Sequence, residues 1–456
     1  MAIATINRVI LWFDEAFRAL SAEVPMAEVE RLAVLVHHSM DGKARVFHTT
    51  RHVFSVGEDL KPLQVLAALF HDVVYYQLDG GLPARVATLL EGVTHAKDGA
   101  LYLREIEPGD GATALCADIF GFSPGQVLPL YRGMNEFLSA VVAARLLQQH
   151  LNDRQLLAVV TCIEATIPFR APDEHGQTAA EALARRVQER SAKFPGQPAL
   201  SSQETAVFVK TVVTDAVTLA NRDISGFIES DPGQCLSNTL LLIEESNAPL
   251  AALGVYSLQE YRSALLRMES FLSGLDPALV CQSFNGYPDA DTLLAMGAAA
   301  KRNIDFSCDY LGAILTTIAI IEALALSTGT DCPIAMFLGD ITNAYGKPDR
   351  VEDFLPEPPS GQPVDAELLQ VLQVGRALES ANDLAASPLT TYLYRFMGHS
   401  RSKRTLQQAR RMFDGDLSPH AFLKMLDRDM LSAVIRACAR IALSRSEALL
   451  ALENSL

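Results

Sequence analysis

Two stretches decide how this chain is read: Arg45–Val53, RVFHTTRHV, and Leu63–Tyr75, LQVLAALFHDVVY. In the second, Leu63, Leu66, Ala67 and Phe70 recur at helical spacing and run directly into His71-Asp72. That pattern predicts an amphipathic helix whose buried face fixes His71 and Asp72 against a core. In the first, His48 and His52 are four residues apart, so on a helix they would share one face. Two imidazoles and a carboxylate from neighbouring helices make a mixed nitrogen and oxygen donor set. Such a set suits Mn, Fe, Zn, Co or Mg, not an iron–sulfur cluster or thiolate-bound copper. A further carboxylate from downstream would complete it.

The same period recurs outside these stretches, in Ile10-Phe13-Phe17-Leu20 and in Val141-Ala144-Leu147-Leu151. Sustained two-residue alternation is scarce, so the expected fold class is all-α. A length of 456 residues suggests two or three domains. Three stretches break the helical pattern. Gly80 to about Pro129 contains GG, PGDG and SPGQ and is expected to be an insertion, at about 80–130. Pro168–Ser202 is expected to be loops around a charged helix, and the Pro-rich Tyr345–Pro363 a loop or linker. The expected division is a first domain over 1–245 and a second, helical domain over 246–456. In the second half, helices are predicted at Leu258–Leu272, Asp291–Lys301, Asp309–Leu326, Asp365–Ala381 and Leu431–Leu450.

Apolar residues form 49% of the chain and charged residues 20%, which excludes a disordered or low-complexity protein. A formal net charge of −16 argues against a bulk electrostatic grip on nucleic acid or an anionic membrane. The 7 cysteines are scattered without a CxxC pair, as reduced buried thiols would be. Arg8, Asp14, Glu15 and Arg18 interrupt the first apolar run, which reads as an amphipathic helix and not an export signal. Leu311–Leu326 is shorter than the ~20 apolar residues a membrane span needs and carries Glu322, so a buried core helix is expected. The expected compartment is the cytoplasm.

The motifs R-x-F-H-x-x-x-H at Arg45–His52 and F-H-D-x-V-Y at Phe70–Tyr75 are followed by Asn135-Glu136-Phe137-Leu138-Ser139-Ala140. In that order they resemble the HD-domain metal-dependent phosphohydrolase superfamily. They look most like small bacterial proteins described as predicted HD phosphohydrolases, and more distantly like class I cyclic nucleotide phosphodiesterases. Thr161–Thr166, TCIEAT, is similar to that family's next helix. The resemblance covers about 30–230, interrupted by the insertion, and does not reach 250–456. It departs from the pattern at Phe47, where Tyr is usual, and at the final carboxylate.

The resemblance implies an HD-domain helical bundle in which His52, His71, Asp72 and Asp215 bind one or two divalent metal ions. Asp215 matches best by position, with Asp223, two turns later, as the fallback. It also implies catalytic roles for His48 as proton donor, Asp72 as metal bridge or orienter of the nucleophile, and Arg45, with Arg51, as phosphate contacts. Ion pairing of Arg45 to Glu136 or Asp41 is the structural alternative. Glu136 is expected to hydrogen-bond a ligating histidine; the alternative for Asn135 and Glu136 is a helix start, with Asn as N-cap and Glu in the first turn. Asn221, Arg222, Thr166 and Arg170 are further substrate-contact candidates, and His37-His38 a candidate pair for a second metal.

Three functions follow as expectations. The first is a metal-dependent phosphohydrolase of a small phosphate ester or diester, plausibly a nucleotide. The second is a catalytically silent binding or regulatory protein on the same scaffold. The third is a diiron oxygenase, which would need additional histidines. The second half carries no catalytic signature. Its Tyr394–Arg411 segment concentrates six Lys and Arg, either a solvated face or a phosphate contact. The C-terminal helices are a candidate homodimer surface.

Overall fold

The computed structural model describes residues 3–193, 200–251, 255–339, 349–359, 361–375 and 386–456. The fold is all-α, and the strands among the described residues form one short hairpin. The chain divides into two units: Met1–Ile228 with Asp276–Ala300, and Glu229–Leu275 with Lys301–Leu456. The boundary expected near 245 is therefore displaced, and a return segment expected in the second domain belongs to the first. Two burial patterns explain this. The helix Pro232–Glu245 buries Cys235, Leu236, Leu240 and Ile243, while Phe284 of the return segment packs on the core of the first unit.

The first unit opens with α1 (Thr5–Ala19), α2 (Met26–Met40), α3 (Thr50–Gly57) and α4 (Pro62–Phe70). The insertion follows: α5 (Ala84–Ala87), the antiparallel strands β1 (Thr94–Lys97) and β2 (Ala100–Leu103), and α6 (Gly111–Phe120). Next come α7 (Met134–Leu147), α8 (Asp153–Ala165), α9 (Ala179–Ser191) and α10 (Ser202–Asp223). The hairpin turns on Asp98-Gly99, both at positive φ, and His95 stacks on Tyr102 across it.

Helix α8 is the centre of this unit. Every residue from Leu156 to Ala165 is buried, and α4, α7, α9 and α10 pack around it. Asn152 starts it with a capping box, its side chain accepting from the Gln155 N–H. Helix α1 covers α4 through Phe13, whose ring meets Phe70 edge-on at 5.7 Å. Gly57 lets α3 approach both of them: a Cβ there would lie 2.6 Å from the Trp12 ring of α1 and 3.1 Å from the Ala68 Cβ of α4.

The second unit contains α11 (Pro232–Glu245), α12 (Leu258–Gly274), most of α13 (Ala290–Thr328), α14 (Ala335–Leu338) and α15 (Ala366–Val374). It ends with α16 (Pro388–Phe413), α17 (Pro419–Leu423), α18 (Arg428–Ile441) and α19 (Ser446–Ser455). The two helices expected at 291–301 and 309–326 are one, since nothing between them breaks a helix: RNIDFSC has neither Gly nor Pro. Conversely, the single helix expected at 431–450 is two, because Ala442 leaves helical geometry at ψ 68°. Of the helix expected at 365–381, the described part ends at Val374, before Gly375, and 376–381 lie outside the described residues.

Among the described residues, α13 alone is long and apolar enough to cross a membrane, yet 83% of its most apolar window is buried inside the protein. Its Glu322 pairs with Arg262 at 2.9 Å, and burial raises the Glu322 pKa. The basic segment on α16 is matched by acids: Lys403 pairs with Asp309 at 2.8 Å, and Arg410 pairs with Glu269. Gly398 interrupts α16 with φ 72°, and a Cβ there would press to 2.9 Å from the Pro363 carbonyl oxygen.

Phe70 is fully buried immediately before His71. Phe70→Ala is expected to cost about 3–5 kcal/mol, measured as a lowered urea midpoint for the first unit.

Candidate metal centre

The centre is assembled at the ends of three helices. His52 lies in the first turn of α3, His71 is the C-cap residue of α4, and Asp223 is the last residue of α10. The apolar run Leu66–Phe70 is buried on the core and so fixes where His71 emerges. Asp72 follows in the turn that leaves α4.

One ligand atom from each of His52, His71, Asp72 and Asp223 lies within 4.8 Å of every other. His71 Nε2 is 2.9 Å from Asp72 Oδ2 and 3.3 Å from Asp223 Oδ1. His52 Nε2 is 3.0 Å from Asp223 Oδ1 and 3.7 Å from Asp72 Oδ2. Donors about 2.1 Å from one cation stand about 3.0 Å apart at an octahedral edge and about 3.4 Å apart at a tetrahedral edge. The four separations fall around those values.

The tautomer of His71 fits as well. Its Nδ1–H donates to the Ala68 carbonyl at 2.8 Å, which leaves the buried Nε2 facing the carboxylates of Asp72 and Asp223. Two imidazole nitrogens and two carboxylate oxygens therefore can hold a metal ion.

The buried charges of the cluster shift one another's proton affinities. Burial opposes a charged His71, but the carboxylates of Asp72 and Asp223 outweigh it, so its pKa lies well above that of an ordinary histidine. Burial also opposes the Asp72 carboxylate, yet His71 first, then His48 and His52, draw its pKa well below the usual range. Asp223, equally buried, is held down to about 2 by His71 and His52. Glu136 behaves oppositely: burial foremost, then the charges of Asp72 and Asp223, push its carboxyl up to about 7.

Several expected residues have other places. Asp215 is not in the cluster. Eight residues along α10 amount to about 12 Å and about 80° of rotation, which turns Asp215 towards α4, where Lys61 Nζ meets its Oδ1 at 2.6 Å. Asp223, the fallback, takes the position instead. His48 does not share a helical face with His52, because α3 starts only at Thr50. The preceding turn still brings His48 to the rim, its ring 5.7 Å from that of His52 and 4.8 Å from that of Tyr75.

Arg45, expected as a phosphate contact, lies inside the protein instead. Its side chain is fully buried and clamps Asp79 with Nε at 3.1 Å and Nη2 at 2.7 Å. Nη1 donates to the Asp72 backbone carbonyl at 2.6 Å. Arg45 thus staples the loop 72–79 by its two ends. Neither expected structural partner, Glu136 or Asp41, holds it.

Asn135 is not a helix cap either, since Gly133 occupies that position. Its Oδ1 accepts from the Tyr76 N–H at 3.1 Å and its Nδ2 donates to Gln77 Oε1 at 2.9 Å. One turn on, Ser139 Oγ accepts from the Val74 N–H at 3.0 Å. The third sequence motif therefore holds the same loop from behind.

Arg170 is committed to the buried Glu164, at 2.6 Å, which Arg186 also pairs at 2.5 Å. Thr166 is buried and its hydroxyl donates to the Ile163 carbonyl. Arg51 and Arg222 are exposed neighbours of His52 and Asp223. His37 and His38 lie at the end of α2 and are not among the clustered residues. Asp79 was missed by sequence reading; it is an ordinary acid in VVYYQLD, and only the fold reveals its partner.

No protein-family model matches this chain, and no curated protein or solved structure matches it.

In Mn²⁺ or Co²⁺ titration, His71→Ala and Asp223→Asn are expected to weaken binding beyond the about 10–100-fold typical of residues outside the coordination sphere, whereas Asp215→Asn leaves it within about 2-fold. Because a cation must displace the proton that His71 holds so firmly, apparent affinity falls as pH is lowered. Separately, Arg45→Met strands the Asp79 carboxylate and is expected to cost about 3–5 kcal/mol in denaturant unfolding. Arg45→Lys does not restore the loss, lacking the bidentate fork.

Proposed function

We propose that this protein is a metal-dependent phosphohydrolase of the HD type, acting on a small phosphate ester or diester, with nucleotides the first class to test. The observation that carries the reading is the convergence of His52, His71, Asp72 and Asp223 on one point, with His71 Nε2 aimed inward. The ordered motifs RVFHTTRH, FHDVVY and NEFLSA support it from the sequence side. The donor set favours Mn, Fe, Zn, Co or Mg.

A divalent cation held there would lower the pKa of a bound water towards neutrality and polarise a phosphoryl oxygen. The chain's own residues do the rest. His52, His71, Asp72 and Asp223 bind the cation. His48, on the rim and 4.8 Å from the Tyr75 ring, is placed to give a proton to the departing oxygen. Arg51 and Arg222, exposed on the helices that carry His52 and Asp223, are the guanidiniums available to phosphate charge. Arg45 orients Asp72 through its backbone.

The alternative of a catalytically silent binding protein rests on the uncertain last ligand and on a large second half without an assigned role. Asp223 supplies a carboxylate that answers the first of these grounds, and on that the hydrolytic reading is preferred. A cytoplasmic location belongs to the same proposal.

The test is product release from a panel of cyclic and linear nucleotides with added Mn²⁺. The expected result is metal-dependent turnover that His71→Ala and Asp72→Asn reduce by at least about 10³-fold, some 4 kcal/mol of transition-state stabilisation. His48→Gln lowers kcat by about 10²–10⁴-fold while leaving metal affinity intact. Absence of turnover with every metal and substrate, in protein that binds metal, would leave the silent reading in its place.

A further inference from the structure

Resting on that reading of the metal centre, we infer that the return segment Asp276–Ala300 is part of the centre's construction, with Asn221 and Gln282 as positioning residues for Asp223. Asp223 is the last residue of α10, a location where helices fray because the final carbonyls lack partners. A ligand there needs an external hold. Two residues earlier, Asn221 provides one. Its Nδ2 donates to the Gln282 carbonyl at 2.8 Å and its Oδ1 accepts from the Gln282 N–H at 2.8 Å. One side-chain amide thus satisfies both backbone groups of one residue, as a neighbouring strand would.

Gln282 extends the hold. Its Nε2 donates to the carbonyl of Ala165, the last residue of α8, at 2.9 Å. The last turn of α10 is thereby tied, through Gln282, to the end of the helix at the centre of the unit. The segment itself is anchored beside this point by Phe284, which packs on the core of the first unit. The chain leaves the unit at Ile228, five residues after Asp223, and re-enters at Asp276, six residues before Gln282. The metal ligand therefore stands next to an exit of the chain and is secured by the segment that comes back.

The experiment uses Co²⁺ binding to the full chain, followed by visible absorption, which reports the number and type of ligands. Asn221→Ala is expected to weaken Co²⁺ binding by about 10–100-fold and to shift the spectrum towards that of Asp223→Asn. Asn221→Asp keeps the acceptor but loses the donor, so a smaller shift in the same direction is expected, as it is for Gln282→Ala. These two milder variants carry the test if Asn221→Ala does not fold. Asn152→Ala, which removes the α8 cap without touching the clamp, is the control and retains the wild-type spectrum and affinity.

An unchanged spectrum and affinity in the clamp variants would overturn the inference, as would an equal shift in Asn152→Ala. Failure of the wild-type chain to bind Co²⁺ would instead remove the metal reading itself, and the inference with it.

Discussion

Asp72 and Asp223 place two carboxylates around the Nε2 of one buried histidine, at 2.9 and 3.3 Å. Like charges this close inside a protein require positive charge between them, from protonated imidazoles or from a cation. His71 has no other polar atom to turn to, since its Nδ1 is spent on the Ala68 carbonyl. The remainder of the first unit can be understood as the scaffold that enforces this meeting. Helix α4 ends on the buried His71, α3 brings His52 across, and α10 ends on Asp223.

Holding such a site demands more than placing its ligands. The Arg45 guanidinium, fully buried, binds Asp79 and the Asp72 carbonyl together, and so fixes a loop that has no regular structure of its own. Asn135 and Ser139 grip the same loop from α7. These groups bond the backbone of that loop and the Asp79 side chain, so they hold the loop that carries Asp72. This is why residues that look like phosphate contacts or helix caps in the sequence prove to be supports.

The helical class was legible because apolar residues repeat at helical spacing around α1, α4 and α7, where burial on one face leaves a one-dimensional trace. His52, His71 and Asp72 were legible for the same reason: each is tied to a short local motif. Asp223 was harder to place, because the second half of α10 carries two aspartates and the helix alone does not say which one ends beside α4. Rotation and rise decide it, and Lys61 claims the other. The Arg45–Asp79 pair joins positions 34 residues apart and follows no local rule. The return of Asp276–Ala300 to the first unit was hidden likewise, since nothing in CQSFNGYP distinguishes a segment packed on one core from a segment packed on another. Long-range pairing of polar groups was the common element in what sequence reading missed.

Anomalous diffraction from crystals of the cobalt-loaded chain, collected on both sides of the cobalt edge, would locate the cation directly. The account predicts a peak within coordination distance of His52 Nε2, His71 Nε2 and a carboxylate oxygen of each of Asp72 and Asp223. A peak at Asp215, or cobalt bound only at sites away from these four residues, would contradict it.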